Sequence, residues 1–379
     1  MAAVRDELGF ALVVRRILYA GLLLGPLTVL VHYATDLGAT AEFVLAAVSL
    51  IPLAWLIGEA TEHAAEHTGP GIGGFLNATF GNAPELIIAL IAVNDGLNEV
   101  VRGSLTGSVI GNLLLVLGFS LLAGPRDNLD RVSSFLSFGA IAIAILLFLI
   151  PAIPSWHGDP NRHEIVVISV PVSLALLVVY GVVTLYSLRR HRGLHVAGEA
   201  STGAWSLRSA LLVLGATTVI TALVAEILVG SLEEFAHKAG MSEFFVSAVI
   251  VAIVGNAAEH GGAVVVARRG KVKLAAEIAL SSAAQVAVFL IPLVALLSWL
   301  IDPLSLGFRE VEMLALAGGL VVTVITLWAG RSSPTRGAVL LIAYAVIVAA
   351  FWVAGDRGDH AEASSANGVG ALVSGYVAT

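Results

Sequence analysis

Gly81-Asn82-Ala83-Pro84-Glu85 lies inside one apolar run and Gly255-Asn256-Ala257-Ala258-Glu259 inside another, each position 174 residues from its twin. The chain therefore carries an internal repeat, and each copy places a carboxylate where water is scarce. An ionisable side chain at membrane depth costs roughly 2.5–3.5 kcal/mol on insertion scales, so such residues are retained for function. Two of them in matched copies point to one shared ion site.

Outward from the repeat, the composition sets the class. Of the 379 residues 58% are hydrophobic and only 12% charged, and the mean hydropathy is +0.94, whereas a soluble domain carries roughly 25% charged residues. The expected fold is an all-α integral membrane protein, because spans of about 20 apolar residues fit helices rather than barrel strands. Eleven transmembrane helices are expected, near 16–35, 40–61, 75–94, 100–123, 133–154, 164–188, 208–231, 244–267, 273–300, 310–330 and 336–354. The first is read as a retained helix and not a signal peptide, since no small-residue cleavage pattern follows it. With no cysteine in the chain, a disulfide framework and a thiolate metal site are excluded. Nothing supports nucleic-acid binding, and a net charge of −7 matters less in a membrane than where the charges lie.

Taking connections alternately, one side holds 15 of the 20 basic residues, among them Arg15, Arg126, Arg189, Arg190, Arg268 and Lys271, and the other holds Arg102, Arg162, Lys238, Arg309 and Arg357. The positive-inside rule then makes the N-terminus cytoplasmic and, with eleven crossings, the C-terminus external; for a bacterial chain that means the plasma membrane. Five spans from the first motif to the second reverse the direction of the chain, so two five-helix halves form an inverted repeat of the kind that builds secondary transporters. The expected organisation is an N-terminal segment with the first helix (1–37), a first half (38–188), a basic cytoplasmic linker (189–207) able to touch anionic lipid, a second half (208–354) and a flexible tail (355–379).

Gly81 with Pro84, and Gly255 with Gly261-Gly262, weaken a helix where each motif stands. A broken helix offers oxygen ligands to a hard cation. Asn82 with Glu85, and Asn256 with Glu259, stand at i,i+3 and share a helix face. Ser108 and Ser282 are also 174 apart and extend the repeat into the next helix, where Asn112 and Gln285 add an amide to each copy without aligning under that offset. These four polar residues either line the site or hydrogen-bond between helices, at about 0.6 kcal/mol per bond. Glu62 and Glu226 precede the motifs and suit an ion-entry or proton-relay role, Glu62 near an interface where a carboxylate is cheap. His260 follows Glu259 with no histidine in the first copy and either tunes proton affinity or shapes the site.

One motif competes. His63-Ala64-Ala65-Glu66-His67 matches the H-x-x-E-H zinc-hydrolase pattern, yet it sits at the mouth after the second span with no distant third ligand. It reads as a solvated or cation-attracting cluster with Glu59 and Glu62.

The runs Leu76 to Ile87 and Val254 to His260 resemble the two repeat signatures of the Ca²⁺/H⁺ exchangers, the CAX branch of the calcium:cation antiporter superfamily. Gly107-Ser108-Val109-Ile110-Gly111-Asn112 and Ala225-Glu226-Ile227-Leu228-Val229 resemble flanking segments, so the likeness covers about residues 40–330. It implies eleven helices, export of cytosolic Ca²⁺ against H⁺, Glu85 and Glu259 as the carriers of Ca²⁺ (the metal ligands) and protons, and Asn82, Asn256, Ser108 and Ser282 in support. Two features depart from the family's pattern: Pro84 before the first glutamate, and a basic rather than acidic segment between the halves.

Two carboxylates at a low-dielectric site cannot both stay ionised cheaply, so an empty site is expected to hold protons that a divalent ion displaces. No resident cofactor is called for, Ca²⁺ being cargo, and a homo-oligomer is left open. A channel would also place carboxylates in a pore, but an inverted repeat speaks for coupled exchange; an Na⁺/H⁺ or K⁺/H⁺ antiporter of the same fold is the nearest alternative.

Overall fold

The structure is a computed structural model that describes residues 15–35, 37–191 and 205–357. The expected N-terminal segment before Arg15, most of the basic linker and the tail beyond Arg357 lie outside the described residues. What is described is helical, apart from turns, connecting loops and an isolated bridge between Asn128 and Arg331.

The helices, in chain order, are α1 (Arg15–Ala34), α2 (Ala39–Phe80), α3 (Ala83–Asn94), α4 (Asn98–Ala123), α5 (Arg131–Ser155), α6 (His163–His191), α7 (Leu207–Gly230), α8 (Leu232–Ala239), α9 (Glu243–Gly255), α10 (Ala257–Arg268), α11 (Val272–Leu300), α12 (Glu310–Leu327) and α13 (Pro334–Ala354). Their starts follow local chemistry: the Asp130, Ser206, Ser242 and Ser333 side chains accept backbone N–H groups at the first turns of α5, α7, α9 and α13, supplying partners that helix ends otherwise lack.

Among the described residues nine helices are individually long and apolar enough to cross a membrane, and α8 with α9, bent by 111°, makes a tenth candidate. The two expected spans missing from the nine are the motif-bearing ones, 75–94 and 244–267, because each is broken at its Gly-Asn pair. The second and third spans also differ from expectation in having no loop between them: α2 is helical from Ala39 through Phe80. It is not a straight rod. Phe80 packs on a cluster containing Ile57 and Ala60, although 23 residues of straight helix would carry it about 34 Å away, so α2 folds back on itself. The amphipathic α8, closed by Gly240 in the left-handed region at φ 66°, is a further element that the hydropathy pattern does not resolve.

α1 lies against α2 and α7, which also pack on each other, while α4 packs on α9 and α10 on α11. The closest approach is on α4. Gly107 sits against the Ala248 carbonyl and Gly103 against Phe244 and Ser247 of α9, where a Cβ would collide. Here glycine is required for proximity, not for backbone freedom.

Candidate ion-binding site

At both motifs the chain leaves helical geometry for one or two residues and re-enters. Asn82 (φ −102°, ψ 21°) caps α3 and Asn256 (φ −91°, ψ 3°) caps α10. In matching fashion Leu86 N–H donates to the Asn82 carbonyl at 3.0 Å and His260 N–H to the Asn256 carbonyl at 2.9 Å. Glu85 and Glu259 thus stand in the first turn of a half-helix, where the unpaired N–H groups and the helix dipole favour a negative charge. Pro84, the family-atypical residue, fits because the first helical turn needs no donor from it.

The two breaks meet. Gly255 lies so close to Glu85 that a Cβ there would stand 3.3 Å from its Cγ. Asn256 Nδ2 donates to Ser108 Oγ at 2.8 Å and to the Ala252 carbonyl at 2.9 Å, while Asn112 Nδ2 donates to Asn256 Oδ1 at 3.0 Å and to the Ser108 carbonyl at 3.1 Å. Ser282 Oγ donates to Glu259 Oε2 in a very short contact. His260 lies beside Gly111, where a Cβ would stand 3.9 Å from its Cε1. Glu85, Asn82, Asn256, Ser108, Asn112 and Ser282 are all buried. Two buried acceptors, Glu85 Oε2 and Asn112 Oδ1, have no hydrogen-bond partner, and neither does His260 Nε2. Buried oxygens left without donors are costly, and they are the atoms a hard cation would satisfy. Asn112 also falls within a π-helical turn, Gly111–Val116, and the matching stretch of the second half, Val286–Leu290, is π-helical too. Such turns recur at functional sites.

Not every expected residue joins. Gln285 donates to Ser281 Oγ at 3.3 Å and stays out of the network that Asn112 enters, so the two amides are not equivalent. Glu226 is exposed on α7, not set deep beside the motifs, and Glu62 is exposed on α2. The H-x-x-E-H residues serve packing: His67 Nε2 donates to the Trp205 carbonyl at 2.7 Å and His63 stacks on the Trp205 ring at 4.8 Å. Among the described residues no three His, Asp or Glu side chains are grouped to hold a metal.

Arg102 is the chief surprise. Expected near a membrane surface, it is 1% exposed, donating to Glu99 Oε1 at 2.6 Å, Asn161 Oδ1 at 3.0 Å and the Ser305 carbonyl at 3.2 Å. One turn on, Thr106 donates to the fully buried Glu312 at 3.0 Å, whose other oxygen takes the Arg309 N–H at 2.7 Å. Arg357 pairs with Glu99 at 3.0 Å, and Asp356 accepts the Glu243 and Phe244 N–H groups at the start of α9. Residues 355–357, expected to begin a loose tail, are therefore tied into the bundle. This frame ties together the end of the bundle where α4 and α9 begin, around a cavity lined by Glu99, Arg102, Asn161, Glu243 and Arg357. Sequence pattern could not show it, because its partners lie far apart in the chain, Thr106 and Glu312 by 206 positions and Glu99 and Arg357 by more still.

The profile of the sodium/calcium exchanger protein family matches residues 38–189 and 209–353, most of the chain. The chain belongs to that family. Relatives of this exchanger include a vacuolar cation/proton exchanger 1a of Oryza sativa subsp. japonica, 37% identical over 86% of this chain and 77% of that protein. Another is the Ca(2+)/H(+) antiporter ChaA of Bacillus subtilis, 36% identical over 82% of this chain and 92% of that protein. Among solved structures the chain is similar to native YfkE, with a TM-score of 0.75 at 33% identity over 89% of this chain and 99% of that one. The H+/Ca2+ exchanger CAX, at a TM-score of 0.67 and 17% identity over 89% of this chain and 92% of that one, shares the fold.

Proposed function

We propose that this exchanger-family protein moves Ca²⁺ out of the cytosol in exchange for H⁺, with Glu85 and Glu259 as the shared ligands of both ions. The observation that carries the reading is the meeting of two carboxylates, Glu85 buried and Glu259 half-buried, at matched helix breaks, with the amides of Asn112 and Asn256 and the hydroxyls of Ser108 and Ser282 beside them. Asn82 caps the first break. Neither carboxylate is in a salt bridge with Lys or Arg among the described residues, so charge balance falls to the transported ions. Two protons on the carboxylates, or one Ca²⁺ between them, leave the site neutral. The two loads exclude each other, and that exclusion couples the fluxes. Rocking of one helix group against the other around the site would then expose it to alternate sides. Glu62 and Glu226, exposed on the helices preceding the motifs, suit ion entry. We place the N-terminus in the cytoplasm and the C-terminus outside, in the plasma membrane if the source is bacterial.

Everted vesicles or proteoliposomes with an imposed pH gradient test this. ⁴⁵Ca²⁺ uptake should need the proton gradient, collapse with a protonophore and persist without Na⁺ or K⁺. Uptake of Na⁺ or K⁺ in place of Ca²⁺ would identify a monovalent-cation antiporter instead. A C-terminal reporter should be active only outside the cytoplasm, and one near Arg190 only inside.

A further inference from the structure

The repeat supplies its own control for the helices that follow the motifs. On α4 the residues Gly103, Gly107 and Gly111 recur every four positions, and the residues 174 further on are Glu277, Ser281 and Gln285 of α11. Positions four apart share a helix face, so the same face is bare in one half and polar in the other. The two faces are also used differently. Gly103 and Gly107 lie hard against Phe244, Ser247 and Ala248 of α9, and Gly111 beside His260, leaving no room for a side chain at the first two. Ser281 is instead exposed, and Glu277 and Gln285 are half-buried, on a helix whose other faces are largely buried.

The polar face leads to the ion site. Gln285 Nε2 reaches Ser281 Oγ at 3.3 Å, and the next residue, Ser282, holds Glu259. It begins near Lys271 and Lys273, at the end of α11 that the basic-residue count assigns to the cytoplasm. On α10, which packs on α11, Gly261 and Gly262 have nothing within 4 Å of where a Cβ would stand. Lipid contact does not account for this face: Leu274, 44% exposed near the start of the same helix, is what lipid selects, whereas Glu277 and Ser281 in hydrocarbon would be penalised.

We infer that Glu277, Ser281 and Gln285 form the water-filled approach by which the cation reaches Glu259 from the Lys271 end of α11, with Glu277 as the first group to attract it. The equivalent face of α4 offers no such path, because Gly103 and Gly107 pack directly on α9. The inference rests on the proposed ion site but not on which cation is carried.

The native chain has no cysteine, so single cysteines can be read cleanly. In proteoliposomes, Ser281→Cys should react with a membrane-impermeant cationic thiosulfonate added on the Lys271 side. Modification should block transport, and Ca²⁺ should slow the labelling. Leu274→Cys should stay unlabelled by the same reagent, as should Gly107→Ser, which adds no thiol. Should Ser281→Cys not insert, Gln285→Cys carries the same test. Glu277→Gln should raise the apparent KM for Ca²⁺ several-fold at low ionic strength while leaving the maximal rate, an effect that fades in high salt because a charge facing water is screened. An inserted cysteine that is unreactive from either side, or that reacts without any loss of transport, overturns the approach. Failure of the parent protein to exchange Ca²⁺ for H⁺ would instead strike the proposed function, since labelling is read independently of transport.

Discussion

The two motif copies use nearly the same residues and do different things. At the second break Glu259 holds a hydrogen bond from Ser282, and Asn256 links α10 to Ser108 and Asn112 of the other half. At the first break Glu85 lies against Gly255 with Oε2 unpartnered. An inverted repeat can satisfy its symmetry only on average, since a site open to one side must have its two halves in different arrangements. The two halves accordingly stand in different arrangements, with Glu259 engaged by Ser282 and Glu85 Oε2 unpartnered.

The comparison is broken most severely by removing a carboxylate. Glu85→Gln and Glu259→Gln should each abolish proton-coupled Ca²⁺ uptake while the protein still inserts, because each removes a proton carrier and a charged ligand together. Substantial uptake by either variant would mean that one half suffices.

Next comes the matched pair on the following helices. Gly107→Ala drives a methyl into the Ala248 carbonyl and should cost about 1–3 kcal/mol of stability as overpacking, read as a lower thermal midpoint in detergent. Ser281→Ala, at the equivalent and exposed position, should leave the midpoint near that of the parent. Equal losses would show that α4 and α11 are packed alike after all.

The amides separate the halves by a smaller margin. Asn112→Ala removes two buried hydrogen bonds, each worth about 1 kcal/mol, and should weaken apparent Ca²⁺ affinity roughly tenfold or more; Gln285→Ala should change it far less. The smallest effect is expected at His260, whose counterpart is Leu86. His260→Ala should shift the pH dependence of uptake or its competition by Mn²⁺ while keeping transport, and an unchanged profile with only lower yield would assign the side chain to packing.

The repeat, the helical class and the pairing of Glu85 with Glu259 were legible in the sequence because each depends on local facts: apolar run length, helix-weakening Gly and Pro, and identical spacing in two copies. What spacing along one chain could not distinguish was Asn112 from Gln285, since both stand one turn beyond a matched serine and only packing across the halves selects the first. Glu226 reads as deep from its position in an apolar run, yet the face it occupies is set by which helices pack on α7. Arg102 and Glu312 are the clearest case. Each is an isolated charge in the sequence, and only the approach of α4, α12 and the 355–357 segment supplies the opposite charges and hydrogen bonds that allow such groups to be buried. Local sequence thus determined where the chain breaks and which carboxylates stand there; tertiary structure decided which polar groups face them, because burial and pairing depend on neighbours distant in the chain.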